Sequence, residues 1–183
     1  MDNARCGCTR PPPVMRARRT GQATRRMTET TSAQVSEEDA ALLLSHQLCF
    51  SLHSTTLALG RLYARLLAPL GLTYTQYLVM LVLWQYRSRP VKALGVALML
   101  DSGTLTPVLK RLEATGLVTR RRDPADERRL IVTLTEAGEA LRQAARPIPH
   151  QVMAACDTSG VDLQRLKGEL EALRDGLTGE AGA

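Results

Sequence analysis

Aromatic residues are nearly missing from this sequence, which has one Phe, one Trp and four Tyr in 183 residues, 3% in all. Apolar residues still make up 44%, so Leu and Ala carry the share that must form a core. Such side chains lose little rotamer freedom in a helix, and the expected fold is mainly helical. Nor is there an apolar run of membrane-spanning length, which excludes a transmembrane helix. The arginine-rich start has no apolar centre and so does not read as a secretory signal. Pro11-Pro12-Pro13 works against the amphipathic helix of a transit peptide. The expected location is the cytoplasm.

Cysteine is scarce: Cys6, Cys8, Cys49 and Cys156. With nothing to suggest export, a structural disulfide framework is a poor reading, and the spacing of Cys6 and Cys8 is unlike that of common zinc sites. No metal and no cofactor are expected. The formal charge is +6 and the pI about 9.5, but residues 1–35 hold seven arginines against Asp2 and Glu29. The remainder is close to neutral, so local clustering must argue for a polyanionic partner. Residues 1–35 read as a disordered basic tail, with Met27 as an alternative start of translation. Residues 36–183 read as one domain.

From Ser36 the pattern is helical. Leu44, Leu48, Leu52, Leu59 and Leu62 mark a long helix to about Leu67, ended by Pro69 and Gly71. Thr73 and Gln76 form a capping box that opens a second helix through Trp84, apolar on nearly all sides and therefore central. Arg87-Ser88-Arg89-Pro90 reads as a break before a short helix, Val91–Leu98. After a turn at Met99-Leu100-Asp101 a further helix runs to Ala114. Pro107 argues for its late start, near Thr104, because proline cannot donate to the carbonyl of Gly103. Strands are expected at Leu117–Arg121 and Leu130–Leu134 around a polar turn. Thr135 caps a helix to Arg146, Pro147 and Pro149 interrupt, and a last helix begins near Val161. There Leu163, Leu166, Leu170, Leu173 and Leu177 form a stripe suited to a partner helix.

Helix, tight turn, helix and basic hairpin make a specific succession. In the helix to Ala114, Leu105, Leu109 and Leu112 share one side and must face a core. The other side presents Ser102, Thr104, Thr106, Pro107, Lys110 and Arg111, the hydroxyls and cations that suit a major groove. Taken alone, Lys110 and Arg111 are equally well read as a solvated face. The hairpin shifts that balance, because Arg120, Arg121, Arg122, Arg128 and Arg129 gather beside the same helix. Arg128 near the tip suits the negative potential of a minor groove.

The tract Leu94-Gly95 through Gly116-Leu117-Val118 resembles the MarR family of winged-helix repressors, as do Arg122–Arg129 and Leu134-Thr135-Glu136-Ala137-Gly138. Leu48–Leu52, Gly71–Trp84 and Leu100–Pro107 look most like its organic-hydroperoxide-resistance branch. The resemblance covers about Leu42 to Ala145, and more faintly extends to Leu177. It implies a winged helix-turn-helix at 90–134 and an interlocked homodimer built from helices in 36–70 and 135–178. It further implies a pseudo-palindromic double-stranded DNA operator, an organic hydroperoxide as signal and a regulatory, not enzymatic, role.

Cys49 on residues alone reads more readily as an inert thiol in an apolar helix. In the regulators it resembles, two tyrosine hydroxyls of the partner subunit bond the reactive sulfur, and the matching positions here are Tyr63 and Tyr74. The resemblance thus implies that Cys49 is oxidised to a sulfenic acid. One branch has a second cysteine that traps it as an intersubunit disulfide, a role that falls to Cys156. His53 departs from the aromatic residue usual there. Three alternatives stay open: a MarR-type repressor responding to a non-oxidant small ligand, a thiol peroxidase, for which the arginine hairpin has no use, and a DNA-binding protein without sequence preference.

Overall fold

The computed structural model describes residues 37–157 and 159–179. The expected tail, with Cys6, Cys8 and Met27, and the helix start at Ser36 lie outside them. The chain divides into two units between Gln47 and Leu48. The first holds α1 (Glu37–Ala40) and a 3-10 turn, Leu44–His46. Here the structure corrects the single long helix expected as far as Leu67. Leu43 and Gln47 are extended, His46 Nδ1 is hydrogen-bonded to the Ala40 carbonyl, and Gln47 Nε2 donates to that of Ala41. Side chains thus take carbonyls that a continuous helix would pair with its own backbone.

The second unit begins with α2 (Leu48–Leu67), closed by a 3-10 turn with Pro69 inside it and by Gly71 in the left-handed region at φ 64°. The capping box forms: Thr73 N–H donates to Gln76 Oε1 and Gln76 N–H to Thr73 Oγ1. It opens α3 (Tyr74–Tyr86), which buries Tyr77, Val79, Met80, Leu83 and Trp84 and is the central helix the sequence indicated. The supposed break at 87–90 is instead a strand, β1 (Ser88–Pro90), at the edge of a three-stranded antiparallel sheet ordered β1-β3-β2. A proline is tolerated there because an edge strand leaves one row of N–H groups unpaired.

After β1 come α4 (Val91–Leu98) and α5 (Ser102–Ala114). Their close crossing requires Gly95, where a Cβ would stand 2.9 Å from the Leu100 carbonyl oxygen. The hairpin is longer than expected: β2 (Val118–Asp123) and β3 (Asp126–Leu134) leave only Pro124 and Ala125 as the turn. Arg120, Arg121 and Arg122 sit in the ladder opposite Val132, Ile131 and Leu130, because pairing with apolar neighbours outweighs the polar look of the segment. Thr135 caps α6 (Glu136–Ala145).

Pro147 and Pro149 start a helix, α7 (Ile148–Asp157), where a break was expected. First-turn N–H groups have no intrahelical partner, so proline costs nothing there. Asp162 caps α8 (Leu163–Thr178), which buries none of its side chains fully. The core gathers α3, Leu94, Leu105, Leu109, Leu112, Val118, Val132, Ile148 and Val152. No single helix among the described residues is long and apolar enough to cross a membrane.

Candidate nucleic-acid interface and thiol site

Leu105, Leu109 and Leu112 are at most 1% exposed and fix the rotation of α5. Ser102, Thr104, Thr106, Pro107, Lys110 and Arg111 are all exposed on its other side, the placement read from the sequence. The start of α5 is earlier than expected. Asp101 caps it, accepting from Thr104 N–H at 2.9 Å and from Thr104 Oγ1 at 2.7 Å. Those bonds, the side-chain one foremost, hold the Asp101 carboxyl below its ordinary value. Pro107 stands inside the helix, in its second turn, and gives no N–H to the carbonyl of Gly103 four residues before it. Thr106 Oγ1 donates to the Ser102 carbonyl at 2.7 Å. With both threonine hydroxyl protons engaged inside α5, the groups these residues turn outward are lone pairs and methyls.

The wing sorts its arginines. Arg120 is taken: Glu113 accepts from its backbone N–H at 3.0 Å, its Nε at 2.8 Å and its Nη2 at 2.6 Å. These bonds from Arg120 keep the Glu113 carboxyl below its usual value. Arg122 donates to the Glu127 carbonyl, and Arg129 has a loose pair with Asp123 at 3.7 Å. Arg128 is exposed, its backbone N–H held by Asp126 Oδ1 at 3.0 Å. Sequence reasoning missed Glu113. The signal was there: its spacing from Arg120 carries it across the turn from α5 into β2.

Tyr63 and Tyr74 come together, ring centroids 4.5 Å apart, and Tyr77 is 6.0 Å from Tyr63. Tyr77 was not anticipated, since the sequence gives a buried helical tyrosine no mark apart from core. Burial raises the Tyr63 pKa, and Tyr74, Tyr77 and Cys156 add to the rise. Burial, then Tyr74, likewise raises that of Tyr77. Cys156, in the last turn of α7, is half-buried against the core. Three phenols thus gather, with the Cys156 thiol near enough to add to the rise at Tyr63.

Cys49 is elsewhere. It sits second in the leucine-rich helix α2, as expected, but is exposed and not buried in hydrocarbon. Fourteen residues of α2 separate Cys49 from Tyr63, about 21 Å at a rise of about 1.5 Å per residue. Both thiols, Cys49 and Cys156, are free in this chain.

The family model for the transcriptional regulator SarA/Rot matches residues 61–144. The organic hydroperoxide resistance transcriptional regulator of Bacillus subtilis (strain 168) is 44% identical over 134 residues, 73% of this chain and 91% of that protein. This chain belongs to the MarR family of winged-helix transcriptional regulators. Among solved structures, reduced AbfR bound to DNA is 35% identical, with a TM-score of 0.65 over 77% of this chain and 96% of that one. Disulfide-formed AbfR, also 35% identical, gives 0.55 over the same shares. AbfR comes from Staphylococcus epidermidis.

As a MarR-family regulator the protein binds DNA, and its helix-turn-helix is α4 with α5, its wing β2 with β3. In the structure the exposed polar side of α5 has a basic hairpin next to it in the chain and a leucine floor beneath it. The two free thiols lie apart from that helix and hairpin, Cys49 on α2 and Cys156 on α7.

Proposed function

We propose that the protein represses transcription as a homodimer on a pseudo-palindromic operator and releases it when an organic hydroperoxide oxidises Cys49. One observation carries this reading: Tyr63, Tyr74 and Cys156 meet near one end of α2 while Cys49 is exposed at the other. A two-fold axis that runs α2 antiparallel to its mate brings each Cys49 to the partner subunit's tyrosine pair and Cys156. Exposed leucines argue for such a mate. Leu48 and Leu57 on α2, and Leu166, Leu170, Leu173 and Leu177 on α8, all stand in solvent in the single chain. Apolar stripes of this extent mark an interface. In this reading 36–70 and 135–178 supply the dimer seam and 90–134 the two reading heads. Ser102, Thr104, Thr106, Pro107, Lys110 and Arg111 enter the major groove, with Arg128 and Arg129 of the wing on the flanking minor groove and phosphates.

The chemistry follows from the groups. The Cys49 thiolate attacks one peroxide oxygen, the O–O bond breaks, sulfur keeps that oxygen as a sulfenic acid, and the alkoxide leaves as an alcohol after taking a proton. Tyr63, a phenol whose pKa burial raises from its ordinary value, is a donor for the sulfur or the departing oxygen. The partner's Cys156 then attacks the sulfenic sulfur and water leaves, so two thiols have given two electrons to one peroxide. Phe50 and Leu52 beside Cys49 suit an alkyl or lipid hydroperoxide. Joining two distant thiols shifts helices and so the spacing of the reading heads. The name of the Bacillus relative and the reduced and disulfide-formed states of AbfR support this reading.

A gel shift on the DNA upstream of the protein's own gene tests it. The reduced protein binds, cumene hydroperoxide releases it, and a thiol reductant restores binding. Cys49→Ser stays bound throughout. Release of Cys49→Ser by peroxide would sink the oxidant reading.

A further inference from the structure

Four of the six aromatic residues in the sequence stand in one file. Tyr74, Tyr77 and Trp84 share a face of α3, and Tyr63 meets them from α2. Ring centroids are 4.5 Å apart for Tyr74 and Tyr63, 6.0 Å for Tyr63 and Tyr77, and 6.1 Å for Tyr77 and Trp84. The file runs from solvent to core: Tyr74 is 42% exposed, Tyr63 half-buried, Tyr77 2% and Trp84 7% exposed. Core bulk accounts for Tyr77 and Trp84. It does not call for oxidisable rings continued to the surface through Tyr63 and Tyr74.

Indole and phenol are, with thiols, the side chains that most readily give up one electron. Trp84 Nε1 donates to the Gly138 carbonyl at 2.9 Å, and a carbonyl is too weak a base to take the proton. An indole that loses an electron there stays a strongly oxidising radical cation. Tyr74 meets water, which accepts a phenolic proton, so the electron vacancy settles there at lower energy. Tyr86 is exposed too but lies outside the file, and the Arg89 guanidinium carbon stands 3.7 Å from its ring centroid. That positive charge opposes loss of an electron from Tyr86.

We propose that Tyr77, Tyr63 and Tyr74 carry electrons inward to Trp84 after an alkoxyl radical has oxidised it, so that oxidative damage leaves the core and ends on a phenol at the surface. The alkoxyl radical gains one electron from the indole and a proton from water and becomes an alcohol. An electron then moves from Tyr77 to the indole, from Tyr63 to Tyr77 and from Tyr74 to Tyr63. Tyr77 and Tyr63 end as they began, and the one proton lost is the phenolic proton of Tyr74. A soluble hydrogen-atom donor such as ascorbate restores the phenoxyl radical. Neither thiol takes part, which makes this a protective function separate from DNA release.

Transient absorption on full-length Cys49→Ser protein tests the path. A laser flash at the red edge of the absorption is taken up by the single tryptophan, and a cobalt(III) ammine takes the ejected electron irreversibly. The indole radical band decays as the phenoxyl band grows, at one rate independent of protein concentration. Tyr77→Phe keeps the ring but is far harder to oxidise, and it slows the transfer about tenfold or more. Tyr86→Phe leaves the rate unchanged. With alkoxyl radicals made from cumene hydroperoxide and ferrous ion in the presence of ascorbate, mass spectrometry finds Trp84 oxidised several-fold faster in Tyr77→Phe than in its parent. Absence of phenoxyl growth overturns the proposal. So do a rate that Tyr77→Phe leaves unchanged, a rate that Tyr86→Phe lowers, or equal damage to Trp84 with and without the Tyr77 hydroxyl.

Discussion

Arg120 lies in a basic strand yet is unavailable to DNA, because Glu113 holds its backbone and its guanidinium together. The pair ties the reading helix to the wing. The Glu113 carboxyl is held below its ordinary value of 4.5, so the stabilisation it provides is present at neutral pH and is lost as pH falls through that lowered value. Glu113→Gln removes the charge at every pH. Urea unfolding is therefore expected to show wild type more stable than Glu113→Gln at neutral pH, with the gap closing in the range below 4.5. A pH-independent gap would deny the ion pair this role. The free cations behave differently. Lys110→Ala on α5 should alter preference among DNA sequences, whereas Arg128→Ala should weaken all duplexes alike, as competition binding with operator and random DNA would measure.

At the scale of elements, α6 docks through a glycine. Trp84 Nε1 donates to the Gly138 carbonyl at 2.9 Å, and a Cβ on Gly138 would run into the Leu117 carbonyl and stand 2.7 Å from Leu134 Cδ1. Gly138→Ala is expected to cost about 1–3 kcal/mol in denaturant titration, the range for overpacking a filled site, and to change the emission of the single tryptophan. Unaltered stability would show that α6 is free to move aside.

Elements set by local chemistry were legible in the sequence. The Thr73–Gln76 box starts α3, and Leu105, Leu109 and Leu112 orient α5. Those set by distant partners were not. β1 exists because β3 lies alongside it, and Ser88–Pro90 is too short to announce a strand. Pro149 looked like a breaker because the same residue that stops a helix interior suits its first turn. The interruption before Leu48 depends on side-chain bonds from His46 and Gln47 that no apolar period records. In the site, Tyr63, Tyr74 and Cys156 were found through resemblance, since nothing in their spacing joins residues on three separate helices.

For the whole molecule, the electrostatic half of DNA binding should show in salt. If the dimer neutralises about six to ten phosphates, affinity should fall roughly 10³–10⁵-fold from about 50 to about 200 mM salt. A shallow slope would remove the wing from the interface. The other half of the account rests on two subunits sharing each thiol site, which complementary mutants test most directly. With Cys6 and Cys8 changed to serine throughout, Cys49→Ser and Cys156→Ser subunits are oxidised with cumene hydroperoxide, singly and after exchange into mixed dimers, and run on a non-reducing gel. The account predicts a cross-linked dimer only in the mixture, its one disulfide joining Cys49 of one chain to Cys156 of the other. A cross-link in either variant alone, or none in the mixture, would contradict it.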